Sequence, residues 1–183
     1  MPVTIYSVGH GNRSLQEFIA LIAPIRLLVD VRAYPMSRRH PHFSREPLSK
    51  ALAENGIEYA WQGKELGGLR KPGRESMNTG LNNLSFSAYA DHMASPGFAT
   101  TIDDLVTSAK HAPLALMCAE RMPWQCHRYL IADYLIVRGL SVIHLIALDK
   151  SQPHRLNPLV RVADRELIYD RGVQVDLVPD ADK

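Results

Sequence analysis

PLALMCAERMPWQCHRYLIADYLIVRG, residues 113–139, decides how the chain is read. Leu114 to Met117 is a short apolar run of the kind that forms a buried strand, and Cys118 stands where the run ends. Arg121, Met122 and Pro123 break the pattern. A proline is tolerated in a first helical turn, which predicts a helix opening near Trp124 with Cys126, His127 and Arg128 in its first turns. Apolar residues continue to about Arg138. Gly139 then stops the helix, because glycine takes a left-handed conformation at the C-terminal cap without steric cost. Both cysteines of the chain lie within this one strand, turn and helix unit.

Working outward, the same alternation recurs. Val3 to Val8 is rich in β-branched and aromatic residues and reads as a first strand ended by Gly9. Ser14, with Glu17 three residues later and Leu15, Phe18, Leu21 and Ile22 following at helical spacing, is a capping-box start, and Pro24 closes that helix. Arg26-Leu-Leu-Val-Asp-Val-Arg32 is apolar enough to be covered on both faces, which favours a parallel sheet between helices. Pro47 to Asn55 reads as a short helix ended by Gly56, and Ile57 to Trp61 as a third strand. Phe86, Tyr89, Ala90, Met93, Ile102, Leu105 and Val106 predict one or two helices interrupted at Pro96 and Gly97. Leu140 to Leu148 is a further buried strand. Leu159 to Val162 and Glu166 to Tyr169 look like a C-terminal edge hairpin, and Val173 to Val178 like a last short strand before the charged tail Asp180 to Lys183. The expectation is one α/β domain over 1–183, Rossmann-like and three-layered, with a mostly parallel sheet flanked by helices on both faces.

The bulk numbers limit the function classes. A chain of 183 residues with 46% hydrophobic content can bury one substantial core. A net charge of +2 permits a nucleic-acid partner without requiring one. Two cysteines do not make a disulfide framework, the N-terminus carries no evident secretion signal, and no apolar run approaches the roughly 20 residues of a membrane span. A cytoplasmic protein without a membrane partner is therefore expected. Oligomeric state is not legible.

Ligands in an open parallel sheet bind beyond the carboxyl ends of its strands. That rule gathers His10 and Asn12 from the first loop. It adds Arg32, Arg38 and Arg39 from the basic segment Ala33 to Glu46. The glycine-rich stretch Gln62 to Asn83 contributes Gly67 and Gly68, and the last loop brings Cys118, Glu120 and Arg121. Loops as long as Gln62 to Asn83 are uncommon in a compact domain unless functional or disordered. Cys118 is the sharpest candidate, because a thiol facing a helix N-terminus is favoured as thiolate. Read blandly, it is a small buried apolar residue. Cys126 fits a resolving thiol, a ligand or a core filler, and His127 fits a base or a structural ring. The arginines suit an anion, either a small phosphate-, sulfur- or carboxylate-bearing molecule or a nucleic-acid backbone with Tyr34, Phe43 and Trp61 as stacking surfaces. They equally suit a solvated loop paired with Asp30 and Glu65. Zinc held by Cys118, Cys126, His127 and perhaps His10 is the rival reading. Its spacing is wrong for a structural site, which normally has paired close-spaced ligands, so neither metal nor other cofactor is expected.

Five segments, SVGHGNRSLQEF at 7–18, LLVDVRAYPMSRRHPHF at 27–43, ELGG at 65–68, FSAYADHM at 86–93 and LALMCAERMPWQCHRYLIADYL at 114–135, occur in an order that resembles the domain of unknown function 488 (DUF488) family over about Ile5 to His154. HRLNPLVRV at 154–162 resembles the same family's ending. Where that family commonly has serine after the Gly-His pair, this chain has Gly11. The resemblance implies an uncharacterised protein, with enzyme activity suggested by the motif carrying Cys118, Glu120, Cys126, His127 and Arg128. A looser similarity is to rhodanese-like sulfurtransferases, which share an Asp-Val-Arg strand end and a cysteine that closes a buried strand. There the loop is closed by an arginine soon after the cysteine, whereas Arg121 here comes early and Arg128 late. Three readings follow: a thiol-dependent transferase or hydrolase, a nucleic-acid-associated protein with structural cysteines, and a zinc-stabilised scaffold.

Overall fold

The computed structural model describes residues 3–73, 75–163 and 166–171. Its centre is a six-stranded sheet built from β1 (Thr4–Gly9), β2 (Leu27–Asp30), β3 (Glu58–Trp61), β4 (Leu114–Cys118), β5 (Ser141–Ala147) and β6 (Lys150–Pro153), in the order β3-β2-β4-β1-β5-β6. The first five strands are parallel and β6 runs antiparallel to β5. The α/β reading with a mostly parallel sheet is therefore correct. Parallel neighbours need crossover connections, and α1 (Leu15–Leu21), α2 (Arg45–Glu54), α3 (Gly63–Leu66), α4 (Leu84–His92), α5 (Pro96–Ala109) and α6 (Arg128–Val137) lie in them.

Side chains alternate across a strand, so each strand feeds two cores. Val8, Leu28, Ala115 and Met117 meet Phe18, Ile22, Phe43, Leu48 and Leu52 on one face. Ile5, Val29, Leu116 and Cys118 meet Leu66, Tyr89, Phe98, Ile102, Leu130 and Leu135 on the other. This is the physical reason for the apolar continuity of LLVDV and LALM: both faces of those strands are covered.

Several boundaries move for identifiable reasons. The capping box at Ser14 and Glu17 forms as read. The break expected around Pro96 separates α4 from α5, and Pro96 itself begins α5, behind the Ser95 cap. The helix predicted from Trp124 starts at Arg128. Pro123 instead opens a single 3₁₀ turn, Pro123–Gln125, and Cys126 then leaves it in extended conformation. Cys126 and His127 thus stand on a bent approach to α6, not within its first turn. Gly139 takes φ +82° after α6 as expected. The C-terminal hairpin forms from β7 (Val160–Ala163) and β8 (Glu166–Tyr169), but as a two-stranded sheet of its own; the antiparallel edge of the main sheet is the unanticipated β6. The last strand read at Val173 to Val178, the charged tail and Arg74 lie outside the described residues.

Candidate active site at the carboxyl ends of three adjacent strands

Strands β2, β4 and β1 are neighbours, so the loops leaving their carboxyl ends share one edge of the sheet. A cleft of about 340 Å³ opens there. Its walls include His10 after β1, Arg32, Tyr34 and Met36 after β2, Gly68 and Leu69 beyond α3, Ser85 and Phe86 at the start of α4, and Cys118, Glu120, Cys126 and His127 after β4.

Cys118 ends β4 on the face toward α4 to α6 and is 7% exposed; Cys126 is 3% exposed. Between them stands His127, its Nδ1 at 3.9 Å from Cys118 Sγ and 3.5 Å from Cys126 Sγ. The other ring nitrogen, Nε2, lies 3.1 Å from the carbonyl oxygen of Val31. A carbonyl only accepts, so Nε2 carries a proton, and in the neutral ring Nδ1 turns a lone pair toward both sulfurs. The ring is further fixed edge-on to Tyr89, whose hydroxyl donates to Leu66 O at 2.9 Å. Gly68 makes the room: a Cβ there would sit 2.5 Å from His127 Nδ1.

The two sulfurs differ in acidity. The Cys118 thiol is held well below its ordinary value, first because the Cys126 thiol donates to it, with the Arg128 cation adding to this and burial opposing it. Burial and the adjoining Cys118 sulfur push Cys126 up. Arg128 lies behind the sulfurs with 1% exposure, donating to Val8 O at 2.8 Å and Arg121 O at 2.9 Å. These are carbonyls, and a buried cation needs counter-charge. Burial pushes the Arg128 pKa down, and the cysteine pair, which shares one thiolate, together with Glu120 opposes this. Arg128 therefore positions the cysteine loop and does not line the cleft. The Cα of Gly9 fits against this junction, since a Cβ would lie 1.8 Å from Glu120 O and 2.7 Å from Arg128 Nη1.

Across the cleft, Arg32 is buried and bound to Asp30 in a fork: Nε to Oδ1 at 2.9 Å and Nη2 to Oδ2 at 2.6 Å. Tyr59 OH also donates to Asp30 Oδ2, at 2.7 Å. Asp30 thus holds an arginine, as its place in an apolar strand required. Nη1 of Arg32 stands 3.3 Å from His10 Nε2. His10 donates from Nδ1 to Gly11 O at 2.9 Å, which leaves Nε2 as the acceptor. Burial pushes its pKa down to about 4, so the ring is neutral near pH 7. It stacks on the buried Phe43 with centroids 4.4 Å apart.

Other expected site residues fall elsewhere. Asn12 and Arg121 line a separate hollow with Arg13, Glu17 and Asp149. Arg38 and Arg39 are exposed and outside the cleft lining; Tyr34, Met36 and Ser37 represent that loop in the cleft. Gly67 is a packing position, where a Cβ would stand 2.3 Å from Gly63 O. The Glu120 side chain is exposed on the rim. Of the three aromatic surfaces offered for stacking, Phe43 is buried and Trp61 donates from its indole to Arg32 O at 2.9 Å, while Tyr34 is 73% exposed. Sequence reading missed Ser85, Phe86 and Leu69, which reach the cleft only through the tertiary path of the glycine-rich loop and α4.

A parallel α/β sheet with two cysteines, a histidine and a salt-bridged arginine converging beyond its strand ends defines a three-layer α/β protein with a cleft at one sheet edge. The family model "Domain of unknown function DUF488" matches residues 15–135, about two thirds of the chain, and the protein belongs to that family. No curated protein and no solved structure matches the chain. No helix among the described residues is long and apolar enough to cross a membrane.

Proposed function

We propose that this protein is a cysteine-dependent enzyme acting on a small anionic substrate, with Cys118 as the reacting group. The observation that carries the reading is convergence: two sulfurs, the lone-pair side of His127 and the Nη1 edge of Arg32, shared with His10, line one cleft. A nucleophile within reach of a base that is itself oriented by a third group is the pattern of covalent catalysis. Here His127 is the base and Val31 O the orienting acceptor. Arg32 supplies the donor edge for an anion, and its pairing with Asp30 keeps that edge in a fixed direction. Tyr34, Met36, Leu69 and Phe86 form the apolar rim and would hold the uncharged part of the substrate.

Alkylation of the reduced, metal-free protein tests this. Cys118 is expected to react with iodoacetamide at neutral pH faster than a model thiol, and to favour the anionic iodoacetate about tenfold more than that model thiol does. Inorganic sulfate should slow the reaction, and Arg32→Gln should erase the preference for iodoacetate. A Cys118 that reacts no faster than the model thiol and ignores sulfate would sink the proposal.

A further inference from the structure

The sulfurs of Cys118 and Cys126 and a ring nitrogen of His127 all lie within 4.8 Å of one another, and all three residues are buried. We propose that these three side chains bind one thiophilic divalent metal ion, zinc foremost, with a fourth coordination position open to the cleft. This goes beyond the function proposed above. In the metal-free protein Cys118 is the attacking thiol, and in the loaded protein it is a ligand.

The two sulfur-to-nitrogen distances match what such an ion requires. With bonds of about 2.3 Å to sulfur and 2.0–2.1 Å to nitrogen, a tetrahedral centre has S···N edges of about 3.6 Å. The two S···N separations here are 3.9 Å and 3.5 Å. The lone pair also points the right way. A metal-binding histidine commonly donates its second N–H to a carbonyl, which fixes the tautomer, and His127 does this through Val31 O. Two thiolates and an imidazole select zinc or another soft first-row ion over magnesium or calcium. Seven residues separate the cysteines in sequence, so no close-spaced pair advertises the site. It is assembled by the end of β4 and the bent approach to α6.

The set is incomplete as a structural centre. Structural zinc is normally enclosed by four protein ligands, whereas three ligands and one open position mark a reactive centre. His10, the fourth ligand considered from the sequence, is otherwise engaged: Nδ1 faces Gly11 O and Nε2 faces Arg32. The remaining corner of the tetrahedron therefore belongs to the cleft. A small anion reaching Arg32 Nη1 can occupy it.

The test is titration of the full-length, reduced, chelator-stripped protein with Co(II), followed by displacement with Zn(II). One equivalent of Co(II) should produce the visible d–d bands of tetrahedral cobalt and a near-ultraviolet sulfur-to-cobalt charge-transfer band. Azide should alter the d–d bands, because the fourth position is open. Cys118→Ser, Cys126→Ser and His127→Ala should each weaken binding at least tenfold, with far-ultraviolet circular dichroism checking that each variant folds. The wild type supplies an arm that needs no variant: stoichiometric Zn(II) should slow alkylation of both cysteines more than tenfold, reversibly with EDTA. Absence of the charge-transfer band, or alkylation indifferent to Zn(II), overturns the metal site. A protein that binds no metal yet shows fast, sulfate-sensitive alkylation of Cys118 retains the proposed thiol chemistry alone. One that binds Co(II) through both sulfurs, with an ordinary Cys118 once stripped, retains the metal site alone.

Discussion

At the scale of single residues, the cleft depends on what Gly68 lacks. Its backbone does not need the left-handed region, since among the described glycines the positive φ angles belong to Gly11, Gly56 and Gly139. Alanine is thus conformationally acceptable at this position and is excluded only by the His127 ring, 2.5 Å from the Cβ it would add. The ring must move, and with it the hydrogen bond from Nε2 to Val31 O and the lone pair aimed at the sulfurs. A neutral hydrogen bond contributes about 0.5–1.5 kcal/mol, and a factor of ten is about 1.4 kcal/mol, so Cys118 in Gly68→Ala should alkylate several-fold, up to about ten times, more slowly. Thermal unfolding should fall by about 2–4 °C for each kcal/mol that displacing the ring costs in a chain this size. Unchanged alkylation would show that His127 does not act on the thiols.

Among the elements, α4 couples the cleft to the core. Its first turn presents Ser85 and Phe86 to the cleft, and Tyr89, one turn on, packs on His127. Asn83 starts this helix, its Oδ1 accepting from Ser85 N at 2.9 Å and Phe86 N at 3.4 Å. Removing an N-cap side chain costs about 1 kcal/mol. Asn83→Ala is therefore expected to lower the denaturant midpoint with an unchanged slope, and to increase amide exchange at Ser85 and Phe86 specifically. Equal exchange rates in variant and wild type would mean that the first turn is held from elsewhere. The strand-to-helix turn after β4 behaves differently. There the proline shortens regular structure and leaves Cys126 extended, which is what lets its sulfur turn back toward Cys118.

For the whole molecule, the acid limb of stability should reflect buried histidines. His144 on β5 lies against His154 with Nε2 3.0 Å from its Nδ1, and His154 Nε2 lies 2.8 Å from Asp133 Oδ1. Asp133 also accepts from Tyr169 OH at 3.0 Å, so the chain ties β5, α6 and the hairpin together. Burial, then His154 and Arg128, push the pKa of His144 down to about 3. The unfolded chain protonates this ring below about pH 6.5, whereas the folded protein resists until about 3. Within that window the unfolded state binds more protons, so the stabilisation present above pH 6.5 is lost as the pH falls toward 3. The slope from one such group is at most about 1.4 kcal/mol per pH unit. His10, lowered to about 4, acts in the same direction over a narrower window. Urea midpoints measured between pH 6.5 and 4 should therefore fall less steeply in His144→Phe than in the wild type. Parallel curves would remove His144 from the account.

The sequence by itself determined the class of fold. Apolar runs such as LLVDV and LALM, the capping box at Ser14 and Glu17, and the glycine stop at Gly139 are local signals, and local propensity and periodicity are read within a few residues. It also determined which edge of the sheet would gather polar groups, because the strand-end rule follows from the parallel topology alone. The tertiary structure decided who meets whom. Cys118, Cys126 and His127 share a centre because of a bend after Pro123 that helix periodicity does not encode. Arg128 turned inward to carbonyls, and Asn12 and Arg121 turned to a different hollow, since a side chain's direction depends on the neighbours packed against it. Gly68 gained its meaning only when the glycine-rich loop was seen to pass over His127. Long-range approach is set by the sum of packing across the whole sheet, and no single stretch of sequence contains that sum.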